Sequence, residues 1–131
     1  MKNLIHLIMA ALFATVMFIF AAKTTMAQDP VKVDPKHYKV EFENSQVRVL
    51  RGTYGPHEKG VMHSHPANVV IAVTDINAKF TFPDGKTREI HLKPGEAKWA
   101  AAETHLPENL SDKPLEVILV ELKASSAKTK Y

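Results

Sequence analysis

Three observations predict that the chain from about residue 28 onward forms one all-β domain, a small sandwich or barrel. Apolar and polar residues alternate with a period of two along 47–54, 78–82 and 87–92, as they do in half-buried strands. Turn signals separate such segments at intervals of roughly 8–12 residues. No segment of this region carries the 3.6-residue apolar stripe of an amphipathic helix.

Residues 1–27 have the order of a secretory signal peptide. Lys2 gives a charged start, residues 4–22 contain no charged side chain, and a small-x-small pattern ends at Ala27. The apolar run is also close to the roughly 20 residues that span a bilayer, so an uncleaved anchor is the alternative. Both readings predict that the domain is periplasmic or secreted, and the pattern at Ala27 favours cleavage.

The composition restricts what can stabilise this domain and what can bind to it. The 131 residues include no cysteine, so strand packing, oligomerisation or a bound metal must replace disulfides. The formal net charge of +3 includes Lys2 and Lys23 of the leader, and the rest of the chain is near neutral. Without a basic patch interleaved with aromatic residues, nucleic acid is not an expected partner.

The predicted barrel occupies residues 38–123, between a polar lead-in at 28–37 and a flexible tail at 124–131. Its clearest local feature is a hairpin, in which Asp84-Gly85 joins two alternating segments. A short β-branched run at 69–73 predicts a buried strand. Side chains expected in the core are Phe80, Phe82, Ile71, Val73, Ile118 and Val120.

The most informative residues are His63 and His65, which a single serine separates. Alternate residues of a strand point to the same face, so two imidazoles placed in this way can chelate one ion. The alternative is a pair of solvated histidines on an edge strand. His105 follows forty residues after the pair. His37 and His91 are predicted to be peripheral.

The order of these motifs resembles that of the cupins, over about residues 47–122. The likeness consists of a first motif with a histidine pair, a following strand, a turn and a second motif with a histidine and an asparagine: His63-Ser64-His65-Pro66, residues 69–73, Pro94-Gly95-Glu96 and His105-Leu-Pro-Glu-Asn109. The resemblance implies a cupin-type jelly-roll barrel. It also implies a divalent metal ion held by His63, His65 and His105.

The sequence departs from the cupin pattern at a fourth ligand position. Cupins often carry a Glu a few residues after the second histidine, but residues 66–70 contain no carboxylate and Asn68 is the nearest polar side chain. The expected ligand set is therefore three neutral imidazoles, with open positions for water or substrate. These ligands leave the ion's double charge on the site, which would attract an anionic substrate. The metal is expected to be Fe, Mn, Zn or Ni.

Further side chains are assigned roles around these ligands. Glu103, two residues before the third histidine, is a candidate catalytic or proton-transfer group, and a solvated rim carboxylate is the alternative. The substrate-binding candidates are Asn68, Trp99 and His57. Trp99 could stack on a ring-shaped ligand or simply pack in the core, and His57 could gate the barrel mouth from a surface loop. Asn109 is expected to hold a loop in place.

Two classes of function fit these features, and the sequence leaves open whether the protein is an enzyme. One is a metal-dependent oxygenase or isomerase that acts on a small anionic molecule, since some cupin-like dioxygenases hold Fe(II) with three histidines. The other is a non-catalytic module that binds a metal or a small ligand, which the missing Glu favours. A metal that only stabilises a cysteine-free domain is a third hypothesis. A homodimer is also expected, since cupins often pair through their sheets.

Overall fold

Residues 28–124, the part of the chain that this computed structural model describes, form a short helix and nine strands. The described region is all-β apart from that single helical turn, as the sequence predicts. The elements in chain order are α1 (Pro30–Val33), β1 (Tyr38–Glu43), β2 (Val47–Tyr54), β3 (His63–His65), β4 (Asn68–Ala72), β5 (Ile76–Thr81), β6 (Thr87–Leu92), β7 (Ala97–Ala100), β8 (Glu103–Asn109) and β9 (Leu115–Leu122).

The strands form a five-stranded sheet, in the order β1-β2-β9-β4-β7, and a four-stranded sheet, in the order β3-β8-β5-β6. The chain doubles back at the β5–β6 hairpin, so that β4 pairs with β7, β3 with β8 and β2 with β9, all antiparallel. This double ribbon passes from one sheet to the other at each successive pair, which is the jelly-roll arrangement. Segments far apart in sequence, such as β3 and β8, therefore become direct neighbours.

Both turns expected from the sequence are present, and glycine occupies the strained position in each. Thr81 pairs with Thr87 across the β5–β6 hairpin. Gly85 has a φ of 83° and Gly95 a φ of 85°, a left-handed conformation that glycine adopts without steric cost. The Asp84 side chain accepts a hydrogen bond from the Lys86 backbone N–H at 3.0 Å, which closes the hairpin turn.

The core lies between the two sheets, and some of the residues predicted to be in it face outward instead. On β9 the predicted core residues Ile118 and Val120 lie on the outward face, because the buried positions are the odd-numbered ones. Val73 is exposed as well. Phe80 does pack against the core, as expected. The buried cluster comprises Tyr38, Leu50, Tyr54, Ala72, Ile76, Ala78, Leu115, Val117 and Leu119.

Residues 28–34 pack against the barrel and are called the N-terminal strap below. Asp29 caps α1 by accepting a hydrogen bond from the Val31 backbone N–H at 3.0 Å. Pro30, at the start of the helix, is fully buried, and Asp34 at the end of the strap is buried too. The helix contacts β3, the strand that carries the histidine pair.

His37 is buried, contrary to the prediction that it is peripheral. Its ring stacks on Tyr54, with the two centroids 4.1 Å apart, and its Nδ1 lies 2.7 Å from Oδ1 of the buried Asp34. The sequence does not reveal this burial, because the aromatic neighbour, Tyr54, comes from β2 and meets His37 only in the folded chain. His91 is exposed, as predicted.

The predicted signal peptide, 1–27, lies outside the described residues, as does the predicted tail beyond Ala124. Between residues 28 and 124, no helix is long and apolar enough to cross a membrane.

Candidate metal centre

The three predicted ligands, His63, His65 and His105, meet in the interior. Strand β3 carries the first two on one face, and its antiparallel pairing with β8 places His105 directly opposite His63. The exposed fractions of the three residues are 0%, 5% and 5%. One nitrogen from each ring lies within 4.8 Å of the others, and the Nε2 atoms of His63 and His65 are 2.9 Å apart.

Each imidazole is fixed by an acceptor at Nδ1. His63 Nδ1 donates to the Val61 carbonyl at 2.7 Å, and His65 Nδ1 donates to Glu121 Oε1 at 2.7 Å. His105 Nδ1 donates to Glu103 Oε1 at 2.9 Å. A neutral ring with its proton on Nδ1 leaves a lone pair on Nε2, so these contacts select the tautomer that a metal ion requires.

The surroundings also keep the rings of His63 and His105 neutral. Burial, followed by repulsion from the other two imidazoles, lowers the pKa of His63 to about 3. Burial likewise lowers the pKa of His105, although its hydrogen bond to Glu103 opposes the change. Since an imidazole binds metal only when it is deprotonated, both shifts favour coordination at neutral pH.

Glu121 is a functional residue that the sequence reasoning missed. It lies on β9 with 1% of its surface exposed, and it links His65 to Arg48, whose Nε donates to Glu121 Oε2 at 2.7 Å. Burial opposes ionisation of this carboxyl, but the hydrogen bonds from His65 and Arg48 hold its pKa below the usual value. Alternation places Glu121 on the same face of β9 as Leu119, but the sequence does not show which face of this strand is buried.

Glu103 supports the third ligand from the rim of the cavity. Both of its carboxylate oxygens accept hydrogen bonds at 2.9 Å from Nη2 of Arg88, and Oε1 also binds His105. The hydrogen bond from His105 lowers the pKa of Glu103, and the Arg88 guanidinium adds to this effect. The residue thus orients a candidate ligand, and its side chain keeps 20% of its surface exposed.

A cavity of about 300 Å³ adjoins the histidines, and its walls are largely apolar. His65 and His105 border it, together with the hydroxyl-bearing Tyr38 and Tyr54 and the basic Arg88 and Lys98. This volume accommodates one small molecule beside the candidate ligands. The apolar wall consists of Val70, Ile76, Ala78, Phe80, Ile90, Leu92, Leu115, Val117 and Leu119.

The three substrate-binding candidates occupy different environments. Asn68 borders the cavity, 2% exposed, and its Nδ2 donates to the Pro66 carbonyl at 2.8 Å. Trp99 also borders the cavity, but it pairs with Val69 on the outward face of the sheet and is 57% exposed. His57 does not border the cavity. It lies on an exposed loop, with Nε2 2.6 Å from an aspartate oxygen.

Asn109 holds a loop in place, as expected. Its Nδ2 donates to the carbonyls of Gly55 at 2.9 Å and Lys113 at 2.8 Å, and its Oδ1 accepts from the Ser111 backbone N–H at 3.0 Å. One amide side chain therefore ties together the segments that follow β2 and β8.

The donor set fits a divalent metal ion. Two nitrogen ligands about 2.0–2.1 Å from one ion and roughly at right angles to each other lie about 2.9 Å apart. The Nε2 atoms of His63 and His65 have this separation. Because both rings carry their proton on Nδ1, neither Nε2 has a hydrogen to donate to the other. A shared cation satisfies both lone pairs.

Solved structures with similar folds include cupins. A cupin domain from Bordetella pertussis Tohama I is 24% identical, with a TM-score of 0.61 over 66% of this chain and 92% of that chain. A protein with a double-stranded β-helix domain from Klebsiella pneumoniae is 16% identical, with a TM-score of 0.52 over 82% of this chain and 93% of that chain. An RmlC-like cupin family protein from Methanocaldococcus jannaschii is 18% identical, with a TM-score of 0.51 over 68% and 83%.

No family model matches the chain, and neither does any curated protein. The structural similarity, the double-ribbon topology and the order of the histidine motifs agree with one another. The chain therefore has the cupin fold, a double-stranded β-helix that gathers His63, His65 and His105 around one point in its interior.

Proposed function

We propose that the protein binds a divalent metal ion through Nε2 of His63, His65 and His105 and a small molecule in the adjoining cavity. The observation that carries this proposal is the acceptor at every Nδ1, one carbonyl and two carboxylates. These acceptors turn three lone pairs toward one another in a buried site, where one cation satisfies all three at once. When bound, the ion would supply a Lewis acid that attracts and polarises an oxygen-containing ligand.

The cavity supports a ligand with an apolar body and an anionic group. Its walls are aliphatic and aromatic, so they would exclude water from around the bound molecule. Lys98 borders the cavity and forms no ion pair with any residue between 28 and 124. Arg88 at the same rim is already engaged by Glu103. Three neutral ligands leave the ion's double charge in place, which also favours an anion.

We propose a metal-dependent enzyme of the oxygenase or isomerase type, because three histidines leave open positions on an ion beside a cavity for a small molecule, and a non-catalytic binding module is the alternative. The alternative is supported by the carboxylates that border the cavity, because both already have basic partners. Glu103 pairs with Arg88, and Glu108 pairs with Lys79 at 2.9 Å. Any general base would therefore have to be Glu103 itself, at the cavity rim, or a group on the ligand.

Elemental analysis of the untagged full chain, beside its His105→Ala variant, tests the metal site. We expect near-stoichiometric metal in the parent and little in the variant. His91→Ala is the matched control, because His91 is exposed on β6 and its loss should leave the metal content unchanged. A parent protein that contains no metal and takes up none on reconstitution would contradict the proposal.

The metal-loaded chain, incubated with a panel of small carboxylic acids and phenols, separates the two functions. Iron or manganese together with dioxygen consumption or product formation would support the oxygenase. Zinc or nickel with product formation in the absence of dioxygen would support the isomerase. Saturable binding without turnover across the panel would support the binding module.

We also propose that the domain is exported and that it forms a homodimer through the outward face of the five-stranded sheet. An apolar row crosses this face from one edge strand to the other, and Phe42 and Trp99 at its ends are 53% and 57% exposed. A twofold axis would place this row against the same row of a second copy. The row is Phe42, Val49, Val120, Val69 and Trp99.

Light scattering tests the dimer, with Val120→Lys as the variant. We expect the parent to have the mass of two chains and the variant the mass of one. A monomeric parent would contradict the dimer. N-terminal sequencing of the expressed protein tests export, with Gln28 as the expected first residue.

A further inference from the structure

We propose that the N-terminal strap, residues 28–34, is part of the metal centre and that Asp29 and Asp34 are positioning residues for His65 and His63. The inference rests on the proposed metal site and adds a dependence on a segment that contributes no ligand itself. Three separate connections carry it: a direct hydrogen bond to Ser64 and indirect connections to His65 and to His63.

Strand β3 needs outside support because it is short and lies at an edge. It contains three residues, and in its sheet it pairs only with β8. An edge strand presents backbone groups that no neighbouring strand satisfies. The strap supplies one partner, because the Gln28 carbonyl accepts a hydrogen bond from the Ser64 backbone N–H at 2.8 Å. Ser64 is the residue between the two histidine ligands.

The strap reaches His65 through a chain of charged groups. Asp29 Oδ2 accepts from Arg48 Nη1 at 2.8 Å, and Arg48 Nε donates to Glu121 Oε2 at 2.7 Å. Glu121 Oε1 in turn accepts from His65 Nδ1 at 2.7 Å. The Arg48 and Glu121 side chains are 18% and 2% exposed, so these hydrogen bonds are largely shielded from water. Asp29 thus holds the Arg48 guanidinium in place. Arg48 in turn holds the Glu121 carboxylate, which accepts the hydrogen bond from His65.

The strap reaches His63 through the backbone before β3. Asp34 Oδ2 accepts from the Val61 N–H at 3.2 Å, and the Val61 carbonyl accepts from His63 Nδ1 at 2.7 Å. Asp34 is 4% exposed and is held in turn by His37. Val61 therefore donates a hydrogen bond to Asp34 through its N–H and orients His63 through its carbonyl.

His105 lacks such a connection and serves as an internal control. Its Nδ1 acceptor is Glu103, and the partner of Glu103 is Arg88, which lies on β6. None of these residues forms a hydrogen bond or an ion pair with the strap within the described chain. A change in the strap should therefore affect two ligands and leave the third unaffected.

The variant Asp29→Asn in the full chain tests this proposal. Asparagine caps a helix as well as aspartate does, so α1 should persist while the ion pair to Arg48 is lost. Removing a group that is bonded directly to a metal-bound histidine typically weakens metal binding about 10–100-fold, so we expect about threefold to tenfold weaker Co²⁺ binding one step further away. The visible absorption of bound Co²⁺ should shift as well. Asp75→Asn, at the exposed pair with Lys93, is the matched control and should change neither property.

Combining Asp29→Asn with Glu121→Gln identifies the route. If Asp29 acts through Arg48 and Glu121, the double variant should bind Co²⁺ no more weakly than Glu121→Gln alone. Combination with Glu103→Gln should instead give the sum of the two single effects. Additive losses with Glu121→Gln would overturn the proposed route.

NMR of the metal-free protein keeps the inference separate from metal binding itself. Asp29→Asn should shift the ring nitrogens of His65, Asp34→Asn should shift those of His63, and both should leave His105 unchanged. Faster exchange of the Ser64 amide hydrogen is expected in Asp29→Asn. A parent that shows these responses but binds no Co²⁺ contradicts the metal site and not the strap. Unchanged or uniformly shifted histidines would overturn the strap, whatever the metal result.

Discussion

The two sides of the metal centre are held in different ways. His63 and His65 lie on a three-residue edge strand, backed by Glu121, Arg48 and the strap in a largely dry network. His105 lies on the seven-residue β8, and its partner Glu103 meets Arg88 at the cavity rim, where Arg88 is half exposed. One side relies on buried polar contacts for its geometry, and the other relies on its position within a regular sheet.

This difference predicts unequal sensitivity to mutation. A buried carboxylate and its partners depend on one another, because the loss of one member leaves a charge without compensation in a medium of low dielectric. A pair at the rim is partly solvated, and water can replace a lost partner. The strand pairing of His105 persists whatever happens to Glu103. The following predictions test this contrast.

The largest expected effect is on folding stability. Glu121→Ala should lower the free energy of unfolding by about 3–5 kcal/mol, because Arg48 and His65 lose a buried partner. Glu103→Ala should cost about 1 kcal/mol or less, because that pair is partly exposed. Urea denaturation of both metal-free variants measures the difference. Equal losses would contradict the contrast between the two sides.

Acid should destabilise the metal-free protein from the histidine range downward. The folded pKa values of His63, about 3, and of His105 lie below the unfolded value of 6.5, so the unfolded chain binds protons that the folded chain does not. Stability should therefore fall as pH drops below about 6.5, by about 1.4 kcal/mol per pH unit for each such proton. Glu121, whose pKa is also lowered, extends the loss below about 4.5.

Urea denaturation between pH 7 and pH 4 measures this slope. His63→Gln removes one of the titrating groups and should flatten it, while His91→Gln, at an exposed position, should leave it unchanged. A parent protein that is equally stable at pH 7 and pH 4.5 would refute the prediction.

Metal affinity should show the same asymmetry with a smaller effect. Glu121→Gln should weaken Zn²⁺ binding about 10–100-fold, the usual cost of losing a group that orients a histidine ligand. Glu103→Gln should fall at or below the lower end of that range, since β8 still positions His105. Competition titration with a chelator of known affinity measures both constants. A larger loss for Glu103→Gln would reverse the ranking.

The smallest effect is expected at Arg88, the outermost member of the rim group. Its charge interacts with Glu103 and with the face of Phe82, 4.9 Å from the ring centroid, but half of its side chain is solvated. Arg88→Gln should change Zn²⁺ affinity by about threefold or less. A tenfold loss in the same titration would mean that the rim group shapes the site as strongly as the buried network does.

Much of the fold was predictable from local signals. The hairpin through Asp84-Gly85, the turn at Gly95 and the strand at Leu115–Leu122 are encoded by neighbouring residues, and the structure has all three. The histidine pair on one strand face was predictable for the same reason. The position of His105 opposite His63 required the resemblance to cupins, because no local pattern reports which distant strands pair.

The sequence alone did not predict which face of β9 is buried or that Glu121 supports a candidate ligand. Apolar residues occupy both faces of this strand, so hydrophobic alternation alone leaves two phases open. The charged residue at 121 favours neither phase until a buried partner is known. Arg48 and His65 supply that partner only in the folded chain, and the stacking of His37 on Tyr54 is non-local in the same way.

The pairing of His63 with His105 across the double ribbon has a consequence for folding kinetics. The two ligands are forty-two residues apart in sequence, and they meet only after the β5–β6 hairpin has closed and β3 has found β8. Such non-local pairings form late and slowly, because the entropy cost of closing a long loop arises before the stabilising contacts have formed. A metal ion would then find its complete ligand set only near the end of folding. The metal should therefore slow unfolding far more than it accelerates folding. It would thus give kinetic stability to a chain without disulfides.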